Sequence, residues 1–106
     1  MIRVANKYGN RKTVVDGVTF ASAKEATRYA QLRTLERAGI IKGLILQPRF
    51  PLVVNGAKVC TYVADFEYRD EDGARVIEDV KGVRTDVYRI KNKLMRAVHG
   101  IDVKEV

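Results

Sequence analysis

A chain of 106 residues with 46% hydrophobic and 31% charged content has room for one domain, built from one sheet and two or three helices. No apolar run comes near the roughly 20 residues of a membrane-spanning helix, and the opening MIRVANKYGNRK lacks the apolar segment of a secretory signal. The single cysteine, Cys60, excludes an internal disulfide and a cysteine-based zinc site, so a cytoplasmic location without membrane association is expected.

The net charge of +7 is unevenly placed: residues 1–50 carry ten Lys/Arg against three Asp/Glu, and residues 51–106 carry ten of each. The excess positive charge of the N-terminal half points to a polyanion, with nucleic acid as the leading partner. A basic surface is also compatible with a protein adaptor that meets an acidic partner.

Residues 1–12 read as a basic arm with Arg3, Lys7, Arg11 and Lys12, because Asn6, Gly9 and Asn10 break any periodicity. Residues 13–106 then form a single domain. TVVDGVTF (13–20) predicts a hairpin around Asp16-Gly17, a favoured type I′ pair. Residues 22–39 predict a helix, with Ser22 as N-cap, Glu25 three residues later and Gly39 as stop; its apolar side is Ala26, Tyr29, Ala30, Leu32 and Leu35. LILQPRFPLVV (44–54) reads as a strand interrupted by Pro48 and Pro51. Asn55-Gly56 turns the chain into a strand over 58–69, and an acidic turn at 70–73 leads to a third over 74–82. Thr85 caps a helix to His99, with Val87, Ile90, Leu94 and Val98 at helical spacing. IDVKEV closes as a strand. The expected class is α/β (α+β), with core order helix, three strands, helix, strand, preceded by a short hairpin.

The third strand, VIEDVKGV, places Glu78, Asp79 and Lys81 among apolar residues, although burying a charge costs several kcal/mol unless it is paired or metal-bound. Alternation puts Asp79 and Lys81 on one face and Glu78 on the other. Asp65 is a second acid in an apolar run, YVADFEY, on what should be the neighbouring strand. Two such carboxylates suit Mg²⁺, which takes one or two carboxylates plus waters and substrate phosphate, and a lysine beside them can orient a water or offset phosphate charge. Asp-Val-Lys recurs at 102–104, so spacing alone is not diagnostic; there Asp102 and Lys104 read as edge-strand charges.

SAKEATRY in the first helix, LQPRF after it, YVADFEY and VIEDVKGVRTDVYRIKNKL together resemble the PD-(D/E)XK nuclease superfamily, and in particular small phage-encoded predicted endonucleases likened to Holliday-junction resolvases. The resemblance spans Ser22 to Leu94. It implies a restriction-endonuclease-like αβββαβ core, with Asp65 and Asp79 as metal ligands, Lys81 as catalytic lysine and Glu25 as a further metal or water contact. Asp65 is preceded by Ala64 where the superfamily pattern has proline. It also implies Mg²⁺, with Mn²⁺ as a substitute, and DNA as substrate, branched or junction DNA before sequence-specific sites. Cutting both strands of a junction requires two active sites, hence a homodimer. For a phage protein the location would be the host cytoplasm.

Each assignment has a structural competitor. Ser22-x-x-Glu25 is also a capping box, which would turn Glu25 to the helix start. Glu78 is expected to pair with a basic residue of a covering helix, and Glu67 to be a solvated edge residue. Gln47 is either a polar group near the site or a hydrogen-bonding strand end. His99 suits the last carbonyls of its helix. Arg84 and Lys91, followed by Arg28, Arg89 and Lys93, are the candidate phosphate contacts, which position DNA without reading it. The alternative function is a non-catalytic nucleic-acid-binding module with a vestigial nuclease site.

Overall fold

The computed structural model describes residues 12–106, so the arm expected over 1–12 lies, apart from Lys12, outside the described residues. The first described elements are β1 (Thr13–Val15) and β2 (Val18–Phe20). They join through Asp16 and Gly17, both at positive φ, as a type I′ turn requires. The helix α1 (Ala23–Arg37) starts at Ser22, whose hydroxyl accepts from the Glu25 backbone N–H at 3.1 Å. It buries Ala26, Tyr29 and Leu32, and the Tyr29 hydroxyl donates to Asp16 in the hairpin turn.

The central sheet has four strands in the order β3 (Lys42–Leu46), β6 (Phe66–Arg69), β7 (Arg75–Asp79) and β8 (Lys104–Glu105). The first three are antiparallel, and β8 runs parallel to β7. The parallel step is reached through α2 (Asp86–Leu94) and a π-helical turn, Met95–His99. Between β3 and β6, the strands β4 (Arg49–Val54) and β5 (Ala57–Val63) form a separate hairpin. The molecule is thus an α+β fold, and with that hairpin set aside the elements from α1 onward run helix, three strands, helix, strand.

The two strands expected over 44–54 and 58–69 are each divided. Gln47 takes a positive φ before Pro48, and proline offers no N–H to continue the ladder. The second break, at Ala64–Asp65, lies directly opposite: Gln47 N–H donates to the Asp65 carbonyl at 3.0 Å and Ala64 N–H to that of Pro48 at 3.1 Å. The hairpin leaves the sheet at these paired breaks. Alternation along β7 then separates two apolar layers. Val76 and Val80 pack with Phe20, Tyr29, Leu32 and Phe66 on the α1 side; Ile77 packs with Phe50, Leu52, Tyr62, Tyr88 and Met95 on the α2 side.

The second helix is rotated from its expected orientation. Val87 and Ile90, expected inside, are 61% and 58% exposed, whereas Tyr88 and Met95 are buried. Two polar anchors account for this. Tyr88 donates its hydroxyl to Glu105 in β8 at 2.8 Å, and the Lys91 ammonium donates to the Thr61 carbonyl in β5 at 3.1 Å. Residues 88, 91 and 95 share one helical face, so anchoring 88 and 91 turns Val87 and Ile90 outward, while Leu94, also expected inside, still packs against the α2-side core. The closing strand is also shorter than IDVKEV: Lys104 lies in edge strand β8, while Asp102 precedes it and pairs with Arg96.

Candidate active site

Asp65 sits in the break between β5 and β6, not inside a strand as expected. Its N–H donates to the Glu78 carbonyl at 3.1 Å, and its carboxylate accepts from the Val80 N–H at 2.7 Å. The chain kink therefore aims this side chain at the end of β7, where Asp79 is the last strand residue. Asp79 is 2% exposed. It accepts from the Tyr62 hydroxyl on one oxygen, and the other lies 3.1 Å from the Lys81 ammonium. Lys81 follows the end of β7, where pairing to the C-terminal segment continues through Val106. Its ammonium stands 4.1 Å from the centre of the Tyr88 ring.

Glu25 completes the cluster from α1. Its carboxylate accepts from the Ala21 backbone N–H and hydrogen-bonds Asp65, with Asp79 close enough to act electrostatically. Cap-like and site contacts, which competed as separate assignments, coexist on one side chain, because a carboxylate has two oxygens and several lone pairs. Crowding shows in the acid strengths. Burial is the largest influence raising Asp65, followed by its hydrogen bond to Asp79, and despite the opposing Val80 N–H its pKa is pushed up to about 8. Burial, then the Asp79 charge, raises Glu25. Burial and the bond to Asp79 likewise push the Tyr62 hydroxyl upward.

Glu78 points to the opposite face and is fully buried. Arg28 of α1 grips it with a two-pronged fork, Nε to Oε1 at 2.8 Å and Nη2 to Oε2 at 2.7 Å, and Tyr68 donates its hydroxyl to the same carboxylate. The pairing expected for Glu78 is thus made by Arg28. Burial alone would raise the Glu78 pKa, but the Arg28 and Tyr68 hydrogen bonds outweigh it and the net shift is downward. Arg28 itself is 22% exposed.

Gln47 is an exposed residue at the strand break, with its backbone bonded to Asp65. Glu67 is not simply solvated: it pairs with Arg75 at 3.1 Å. His99 reaches the Pro51 carbonyl in β4 at 2.8 Å, not the carbonyls of its own helix. Lys91 is engaged by Thr61, as above. Arg84 forks onto Glu105, with Nη2 at 2.7 Å, and Arg89 lies 3.6 Å from Asp86 on the surface. Arg84, Arg89, Lys93 and Arg96 line one groove of about 400 Å³ with Tyr88 and Asn92 along α2. Lys24, near the cluster on α1, donates to the Lys81 carbonyl at 2.9 Å.

Sequence reasoning missed Tyr62, Tyr88 and Glu105. No local signal marks them: each reaches the site from a different element, and an aromatic residue beside apolar neighbours reads as core.

Among the described residues, no three or more His, Cys, Asp or Glu side chains stand in ligating geometry for a metal. The donor chemistry nevertheless fits a hard cation, since Asp65 and Asp79 supply the two carboxylates that Mg²⁺ commonly takes from a protein. Burial is the main influence raising Asp65, and the repulsion from Asp79 and Glu25 that adds to it is of the kind a bound cation relieves.

Fold and site together define a small α+β protein with a carboxylate–lysine cluster at one end of its central sheet. The chain belongs to the DUF1064 family, a protein family of unknown function, whose model matches residues 5–105. No curated protein matches the chain. No helix among the described residues is long and apolar enough to cross a membrane.

Proposed function

We propose that this protein is a metal-dependent DNA endonuclease of the PD-(D/E)XK type, acting on branched or junction DNA as a homodimer. The observation that carries the reading is the convergence of Glu25, Asp65, Asp79 and Lys81 from α1, a strand break and the end of β7. The αβββαβ order of the core elements supports it, as does the groove lined by four cations beside α2.

Asp65 and Asp79, with Glu25 as a further contact, would hold Mg²⁺ or Mn²⁺, which supplies Lewis-acid polarisation of a phosphodiester and a more acidic water. Lys81 stands beside Asp79, where its ammonium can orient the attacking water or offset charge on the phosphate as it becomes pentacoordinate. Tyr62 holds one Asp79 oxygen and so orients the carboxylate. Arg89 and Lys93, on the exposed rim of the α2 groove, would contact phosphates flanking the cut.

The test is cleavage of a labelled four-way junction, linear duplex and single strand with Mg²⁺, Mn²⁺ or EDTA, with Asp79→Asn in parallel. The proposal expects paired, metal-dependent cuts near the branch, with turnover at least about 100-fold lower in the variant and DNA binding retained. Metal-dependent cutting of every substrate would keep the nuclease and discard the junction. Salt-sensitive binding without any cleavage would replace the proposal with a binding module.

A further inference from the structure

Lys81 lies two residues beyond the last residue of β7, on a long aliphatic stem, and something must hold its ammonium in place. Four observations identify the support. Its ammonium lies 4.1 Å from the Tyr88 ring centre, within the range where the negative ring face attracts a cation. Tyr88 is buried and packs near Tyr62, their ring centres 6.4 Å apart, so the two rings flank the Lys81–Asp79 pair. The Tyr88 hydroxyl donates to Glu105 at 2.8 Å. Glu105 is itself held by Arg84, through Nε at 3.0 Å and Nη2 at 2.7 Å. A chain of contacts therefore runs from Arg84 through Glu105 and Tyr88 to Lys81.

We propose that Tyr88 is a positioning residue whose ring carries the Lys81 ammonium over the carboxylate cluster, with Glu105 and Arg84 locking the ring from behind. This rests on the endonuclease reading and assigns Arg84 to the lock, not to a primary phosphate contact. Arg84 and Glu105 are more exposed than Tyr88, so DNA entering the α2 groove, which both residues line, meets the lock before the lysine.

The experiment uses two readouts on the full chain. In the metal-free protein, the NMR shift of the Lys81 ε-methylene reports whether the ring covers it, independently of any cleavage. The wild type should show an upfield ring-current shift, kept in Tyr88→Phe and lost in Tyr88→Leu. In single-turnover cleavage, Tyr88→Leu should lower the rate about 10- to 100-fold, the scale expected for a misplaced catalytic group, with DNA affinity within about twofold. Tyr88→Phe should recover most of that loss. If circular dichroism shows Tyr88→Leu unfolded, Glu105→Ala replaces it, with a weakened shift and a smaller fall in rate expected. An unshifted Lys81 in the wild type overturns the inference, as does a lost shift with an unchanged rate. A shifted Lys81 in a wild type that cleaves nothing overturns the endonuclease reading and the catalytic role built on it.

Discussion

Arg28→Met isolates the buried ion pair that joins α1 to the central sheet. The substitution keeps most of the aliphatic stem but leaves Glu78, fully buried, with Tyr68 as its remaining side-chain donor. Two fork bonds of 2.7–2.8 Å are lost. Charge-assisted bonds are worth about 1.5–3 kcal/mol each, and breaking one side of a buried pair costs about 3–5 kcal/mol. At about 4–8 °C per kcal/mol for a domain of this size, Tm should fall by at least about 12 °C at pH 7. The pH dependence follows from the sign of the shift. In the wild type the Glu78 pKa lies below its ordinary 4.5, so its contribution is present above that value and is lost as pH falls through the folded-state pKa. Without Arg28, burial dominates and the pKa rises above 4.5, so the variant's deficit should shrink towards pH 4. Adding Glu78→Gln should recover part of the loss at pH 7. Urea unfolding of the wild type, Arg28→Met and the double variant at pH 4.5 and 7 measures this. A cost under about 1 kcal/mol with no pH dependence would refute the buried pair.

Asp65 gives the opposite slope. Its pKa is raised from 3.8 to about 8, so its contribution is full below pH 3.8 and is lost as pH rises towards 8; metal-free Tm should decline across that interval, and Asp65→Asn should flatten the decline. Millimolar Mg²⁺ at pH 8 should raise the wild-type Tm by binding the folded state, and should raise that of Asp65→Asn less. Val87→Ser combined with Ile90→Ser tests the rotation of α2: exposed positions change stability by less than about 0.5 kcal/mol each, whereas an inward-facing stripe would lose about 2 kcal/mol or more in total. A large loss would place the stripe back in the core.

How much was legible followed from the range of the interactions involved. Asp16-Gly17 and Asn55-Gly56 were readable because a two-residue turn is encoded by the residues that form it, and both pairs take positive φ. Ser22 and Thr85 were readable as caps for the same reason. Asp65, Asp79 and Lys81 stood out because ionisable groups inside apolar runs demand compensation, and Glu78 stood out likewise, although its partner Arg28 is 50 residues away. The rotation of α2 was misread: helical spacing marked Val87 and Ile90, but the bonds of Tyr88 to Glu105 and of Lys91 to Thr61 decide which face turns inward.

The chain by itself determined the α+β class, the turns and caps, the uneven charge, and three of the four residues at the candidate site, because each depends on neighbours within a few positions. It also singled out Glu25, without deciding between the helix start and the carboxylates. Only the tertiary structure decided that Glu25 meets both, that the β4–β5 hairpin leaves the sheet at paired breaks, and that Tyr62, Tyr88 and Glu105 surround the cluster. The reason is physical: a carboxylate's second oxygen, a strand break's partner and an ammonium's aromatic support are contacts between segments far apart in the chain, and packing brings those segments together.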